Sequence, residues 1–97
     1  MAAYIVLGNF TEQGIHSFKE TTKRAEAVKA AAKKHGVTMT GIHWTIGRHD
    51  LVATFDAPND ETMTAVCLTI GAAGNVRTET MRAFSSGEMA EIIAKVK

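Results

Sequence analysis

A β-α-β-β-α-β order of elements within 97 residues predicts an α+β fold, a ferredoxin-like sandwich in which two helices cover one side of an antiparallel sheet. Three observations carry that expectation. Residues 38–56, T-M-T-G-I-H-W-T-I-G-R-H-D-L-V-A-T-F-D, read as a β-hairpin turning at Gly47-Arg48-His49-Asp50. A-Y-I-V-L-G-N-F at residues 3–10 is dense in β-branched, aromatic and other apolar types and reads as an interior strand. Two segments of helical character, about 21–34 and 60–73, separate these strands from each other and from an alternating stretch at 75–84.

The hairpin has the strictest pattern. With Arg48 and His49 as its two loop residues, Ile46 faces Leu51, Trp44 faces Ala53 and Ile42 faces Phe55, so six apolar side chains share one side. The other side receives Gly41 with Asp56, His43 with Thr54 and Thr45 with Val52. A slip of one residue would mix the two sets.

In chain order, Thr11-Glu12-Gln13-Gly14 breaks the first strand, and Ile15 and Phe18, three apart, are expected to pack as a short helical lead-in. T-T-K-R-A-E-A-V-K-A-A-A-K-K then forms the first long helix, closed by His35-Gly36, with the small stripe Ala25, Val28 and Ala31 or Ala32 toward the sheet. After the hairpin, Pro58-Asn59-Asp60 starts the second long helix, whose stripe is Met63, Val66, Cys67 and Ile70. Residues 75–84 carry charges on both sides, as an edge strand does. Ser85-Ser86-Gly87-Glu88 opens a short C-terminal helix whose Met89, Ile92, Ile93 and Val96 are spaced to rest on the body. Right-handed crossovers put the first and third strands in the centre of the sheet.

The whole of 1–97 is expected to be a single domain with its core in 4–84. A domain of this size buries little more than about 60% of its unfolded surface, which favours an association partner. Eleven Lys and Arg against ten Asp and Glu give no electrostatic case for nucleic acid or an anionic membrane. No apolar run is long enough to span a bilayer, and the N-terminus has no basic leader, so a cytoplasmic location is the expectation. Cys67, the one cysteine, has no partner for a disulfide and reads as a buried thiol. None of the four histidines stands at i,i+2 or i,i+4 spacing from another, so no metal is expected, and no cofactor. There is no serine elbow, phosphate loop or dinucleotide loop in a supporting context.

The predicted topology gathers one end of the sheet. Asn9, His16, Arg48, His49, Asp50, Asn75 and Arg77 all belong there despite wide separation in the chain. The sheet side without helices carries His43, Thr45, Val52 and Thr54, a mixed surface that a second copy can cover while leaving a cleft.

With G-R-H-D, A-P-N-D and N-V-R-T-E-T-M-R-A-F in view, the chain resembles the GYD-domain family of small, uncharacterised, mostly bacterial proteins from Tyr4 through Phe84. Gly47, Arg48 and Asp50 fit the turn for which the family is named, and His49 stands where tyrosine is usual. The resemblance implies a ferredoxin-like protomer in a dimeric α/β-barrel assembly and no established reaction. A histidine in the tyrosine's place weakens any role that needs a phenol and supplies a hydrogen-bonding ring instead.

The candidate ligand-binding residues are therefore Asn9, His43, Arg48, His49, Asp50 and Arg77. Arg48, His49 and Asp50 can instead serve as a solvated structural turn or an interface contact, with Asp50 either orienting His49 or accepting from the amides of a neighbouring loop. His43 can be a ligand or proton-transfer group or an interface histidine. Asn9 with Arg77 can bind a carboxylate, or Arg77 can pair with Glu79. The expected function is small-molecule binding in a cleft formed by a homodimer, or a higher homo-oligomer, through the sheet face. A cofactor-free enzyme using histidine proton transfer and a structural or protein-interaction module are the alternatives.

Overall fold

The computed structural model describes residues 1–97. Strand β1 (Ala2–Phe10) leads into a short helix α1 (Glu12–His16), a 3-10 turn (Phe18–Glu20) and helix α2 (Thr21–Lys34). Strands β2 (Thr38–Trp44) and β3 (Leu51–Ala57), helix α3 (Asp60–Ala72), strand β4 (Val76–Ala83) and helix α4 (Ser86–Ala94) follow. The sheet is antiparallel in the order β2-β3-β1-β4, with the first and third strands central as expected.

Alternation along the strands makes the two sides different in kind. Tyr4 and Val6 on β1 and Leu51, Ala53, Phe55 and Ala57 on β3 are buried beneath α2 and α3. Met63 and Val66 of α3, Ala32 of α2 and Val37 close this core. The α3 stripe is as expected from its spacing, and Asn59 caps that helix, its Oδ1 accepting from the Thr62 amide at 2.8 Å. Cys67 is half-buried rather than fully buried, its Sγ sharing a 3.0 Å hydrogen bond with Thr80 Oγ1.

The hairpin register differs from the expected one by two residues. Trp44 pairs with Leu51, His43 with Val52, Ile42 with Ala53 and Gly41 with Thr54. A shift of two preserves which side each residue faces, so the apolar set stays together, but the connection widens to residues 45–50 and Ile46 is left fully exposed. The wider loop is anchored on the central strand. The Asp50 amide donates to the Gly8 carbonyl (2.9 Å), the Asp50 carboxylate accepts from the Phe10 amide (2.8 Å), and the Thr45 amide donates to the Asp50 carbonyl (2.8 Å). A bulge between Met39 and Gly41 then brings Met39 opposite Phe55 and into the core. Trp44, expected inside, is 41% exposed because β2 is an edge strand, and its Nε1 donates to Thr21 Oγ1 at 3.0 Å.

Two further apolar expectations are corrected. Ile15 and Phe18 form the lead-in but remain about half exposed, and of the expected C-terminal stripe only Ile92 is half-buried while Met89, Ile93 and Val96 stay exposed.

One buried polar contact joins sheet to helix. The Tyr4 hydroxyl donates to the Asp60 carboxylate at the first turn of α3. That hydrogen bond, burial and the Asp60 charge raise the phenol above its ordinary value of 10.0, with Arg82 opposing. The folded phenol thus holds its proton more tightly than the unfolded one. The stabilisation is complete below about pH 10 and is lost as pH rises through the raised value. Tyr4→Phe should cost about 1 to 2 kcal/mol at neutral pH, and the difference from wild type should narrow in melting curves taken above pH 10.

Candidate functional site

Residues of the helix-free sheet side fall into rows running across the strands. His43, Val52, Leu7 and Glu79 make one row, and Gly41, Thr54, Ile5 and Met81 the next. Neighbouring strands lie about 4.8 Å apart, so His43 on one edge is separated from β4 by two strands whose apolar side chains form the middle of the surface. Thr40 joins this side through a 2.7 Å hydrogen bond to Thr54 Oγ1.

At the loop end of the same side, Asn9 is the organising residue. It pairs with Arg77 across the β1–β4 ladder, and its Nδ2 donates to the Arg48 carbonyl at 2.7 Å. A carbonyl only accepts, so this bond leaves Asn9 Oδ1 as the group that meets His49 Nδ1 at 2.9 Å. Nδ1 is then the donor of this pair, and Nε2 is the ring nitrogen left for another partner. Thr45 Oγ1 donates to the His49 carbonyl at 2.5 Å and steadies the same turn. His49 is partly buried, whereas the Arg48 side chain is exposed.

Five of the six sequence candidates therefore meet at one end: Asn9, Arg48, His49, Asp50 and Arg77. Their roles differ. Asp50 holds the loop to β1 through the Phe10 amide, the neighbouring-amide alternative, while Asn9 does the orienting of His49. Arg77 and Arg48 are in no ion pair; Lys23 pairs with Glu20 and Arg82 with Glu88, each at 3.8 Å. His43 is exposed on an edge strand, one row from the loop end and across the apolar middle. His16 ends α1, and His35 caps the C-terminal end of α2.

A second polar knot nearby has no clear signature in the sequence. Thr11 Oγ1 donates to the Gly74 carbonyl (2.5 Å), the Thr11 amide to the Asn75 carbonyl (3.1 Å), and Gln13 Nε2 to Asn75 Oδ1 (3.0 Å). It fastens the start of α1 to the α3–β4 turn. Only the breaker residues Thr11 to Gly14 hint at it, and they name a turn without naming its partner.

A separate apolar cleft of about 260 Å³ opens between α2 and α3, lined by Ala27, Val28, Ala31, Val66 and Ile70 among others. It exists because the alanines of α2 leave the helices unfilled between them. None of the six candidates borders it, and Arg24 at its margin already donates to the Ser17 carbonyl, Ser17 Oγ and the Gly14 carbonyl. No three His, Cys, Asp or Glu side chains gather in one place, and no helix is long and apolar enough to cross a membrane.

Known structures share this architecture. The crystal structure of FFRP-DM1 is similar with a TM-score of 0.63 at 14% identity, over 87% of this chain and 100% of that one. TTHA0845 from Thermus thermophilus is similar with a TM-score of 0.58 at 24% identity, over 89% of this chain and 96% of that one. At such identities the likeness is one of fold. No curated protein matches the sequence. The GYD domain model matches residues 4–93, nearly the whole chain, and the protein therefore belongs to the GYD-domain family.

Proposed function

We propose that the chain is a small-molecule-binding protein whose ligand lies in a cleft made when two copies bring their helix-free sheet sides together. The observation that carries this reading is the oriented His49: Asn9 holds its Nδ1 side at the end of the sheet to which Arg48 and Arg77, both in no ion pair, also belong. Apolar walls from Ile5, Leu7, Val52 and Met81 with a few aimed polar groups suit a polar or carboxylate-bearing small molecule. His43, with Thr54 and Thr40, would line the far side of the same cleft.

The Nε2 of His49, which makes no hydrogen bond in the protein, favours one second reading, proton transfer by His49 to or from the bound compound without a cofactor. Native mass spectrometry after exposure to a metabolite extract tests both. Wild type should retain a compound, His49→Ala or His43→Ala should lose it, and turnover that falls with the histidine and follows its titration would mark an enzyme. A wild-type protein that retains and converts nothing would leave the interaction-module reading.

The dimer is tested separately by light scattering. Val52→Asp puts an unpaired charge in the middle of the proposed interface and should shift the mass toward the 10.4 kDa protomer. A wild type that already scatters as a protomer at micromolar concentration would reject the cleft.

A further inference from the structure

The two long helices stand apart. Helix α2 packs chiefly on β2 and α3 chiefly on β4, the two outer strands of the sheet. Three strand spacings of about 4.8 Å put those strands roughly 14 Å apart, whereas helices in contact lie about 8 to 10 Å apart. Long side chains could bridge the difference, but α2 faces the gap with Ala27 and Ala31. The cleft of about 260 Å³ between the helices is the result. Beneath it a further space of about 60 Å³ reaches the core at Val6, Leu51 and Phe55, and Val28 and Ile70 border both.

The lining decides what can fill this cleft. Eight of the twelve residues around it are apolar, and the other four offer little to a polar guest. Arg24 donates to the Ser17 carbonyl, Ser17 Oγ and the Gly14 carbonyl. Thr69 Oγ1 donates to the Ala65 carbonyl (2.9 Å), and Asn75 Oδ1 accepts from Gln13 Nε2 (3.0 Å). His35 is exposed at the C-terminal end of α2. Water in the cleft therefore lacks the two to four polar partners, as an order of magnitude, that hold it in an interior site. A carboxylate or ammonium group would give up its hydration for no free counter-charge. One turn of a partner's helix, about 10 Å across and 5.4 Å long, takes up roughly 400 Å³ and does not fit. A small apolar molecule does, since an apolar cavity of about 150 Å³ already accepts benzene.

We propose that the cleft between α2 and α3 is a binding site for a compact, uncharged apolar molecule, of the size of a substituted single ring or a short alkyl chain. Such a guest covers Ala27, Ala31, Val66 and Ile70 and supplies the contact that the two helices do not make with each other. The site lies on the helix-covered side of the sheet, so it is separate from the proposed sheet-side cleft and neither depends on the other.

Toluene and benzoate test it, because they differ only in a methyl group against a carboxylate. In the full wild-type chain, toluene should shift the methyl resonances of Ala31, Val66 and Ile70 saturably and give NOEs to them, and benzoate at the same concentrations should not. Ala31→Leu puts a larger side chain into the space and should weaken toluene binding by about tenfold or more. Ala27→Leu does the same from the neighbouring turn and serves if the first variant folds poorly. Toluene that gives no saturable shift up to its solubility limit overturns the proposal, as do shifts confined to Ile5, Leu7, Val52 and Met81 across the sheet. Benzoate binding as well as toluene, or a folded filling variant that binds like wild type, overturns it too. Cleft resonances that move with protein concentration alone would make a second copy the occupant and overturn it as well.

Discussion

Gly14→Ala should destabilise the protein by about 3 kcal/mol or more, read as a fall in denaturation midpoint without a change in slope. Its backbone angles are not the reason, since Gly14 sits in a helix. A Cβ there would lie 1.9 Å from the Asn75 carbonyl oxygen and 2.8 Å from the carbonyl carbon. Both atoms are backbone, and the same carbonyl accepts from the Thr11 amide, so neither side can give way without breaking the knot that ties α1 to the α3–β4 turn. Relief has to come from moving a whole element. The damage should reach the site indirectly, because β4 begins at Val76 and carries Arg77 beside Asn9.

Asp50→Ala should cost about 1.5 to 3 kcal/mol, the range for a hydrogen bond to a charged group, by leaving the part-buried Phe10 amide without its acceptor. Asp50→Asn, whose side-chain oxygen can still accept from that amide, should recover most of the loss. The pair separates a stability role from a chemical one. If Asp50 acts only as an anchor, Asp50→Asn should also retain the ligand in native mass spectrometry. Asp50→Ala should in addition loosen the 45–50 loop, seen as broadened His49 ring resonances, since the loop's tie to β1 is partly gone.

How far these arrangements were legible in the sequence depends on the range of the interactions involved. Local signals read well. The stripe of α3, its Asn59 cap and the alternation of β3 follow from periodicity and capping chemistry within a few residues. The hairpin loop did not, because a shift of two residues changes neither side's composition and the deciding contacts are with β1, some 40 residues earlier. The convergence of Asn9, Arg48, His49 and Arg77 was legible as topology, since the strand order alone puts them at one end. Which of them orients His49 was not, because that turns on where the amide of Asn9 points. The exposure of Met89, Ile93 and Val96 was invisible for another reason: an apolar stripe specifies that it will be covered and says nothing of whose surface covers it.

The strand order also shapes how the chain reaches this structure. Only β2 and β3 pair with a near neighbour; β1 pairs with residues 51–57 on one side and 76–83 on the other. Closing those long loops costs entropy before any contact compensates for it, so assembly of the sheet centre is governed by distant parts of the chain. During synthesis β1 is therefore the strand that waits longest for its partners, and A-Y-I-V-L, two of whose five side chains end in the core, stays unpaired until β3 arrives and half-paired until β4 does. Asn9 waits with it, so the centre of the candidate site is complete only when the last strand has docked.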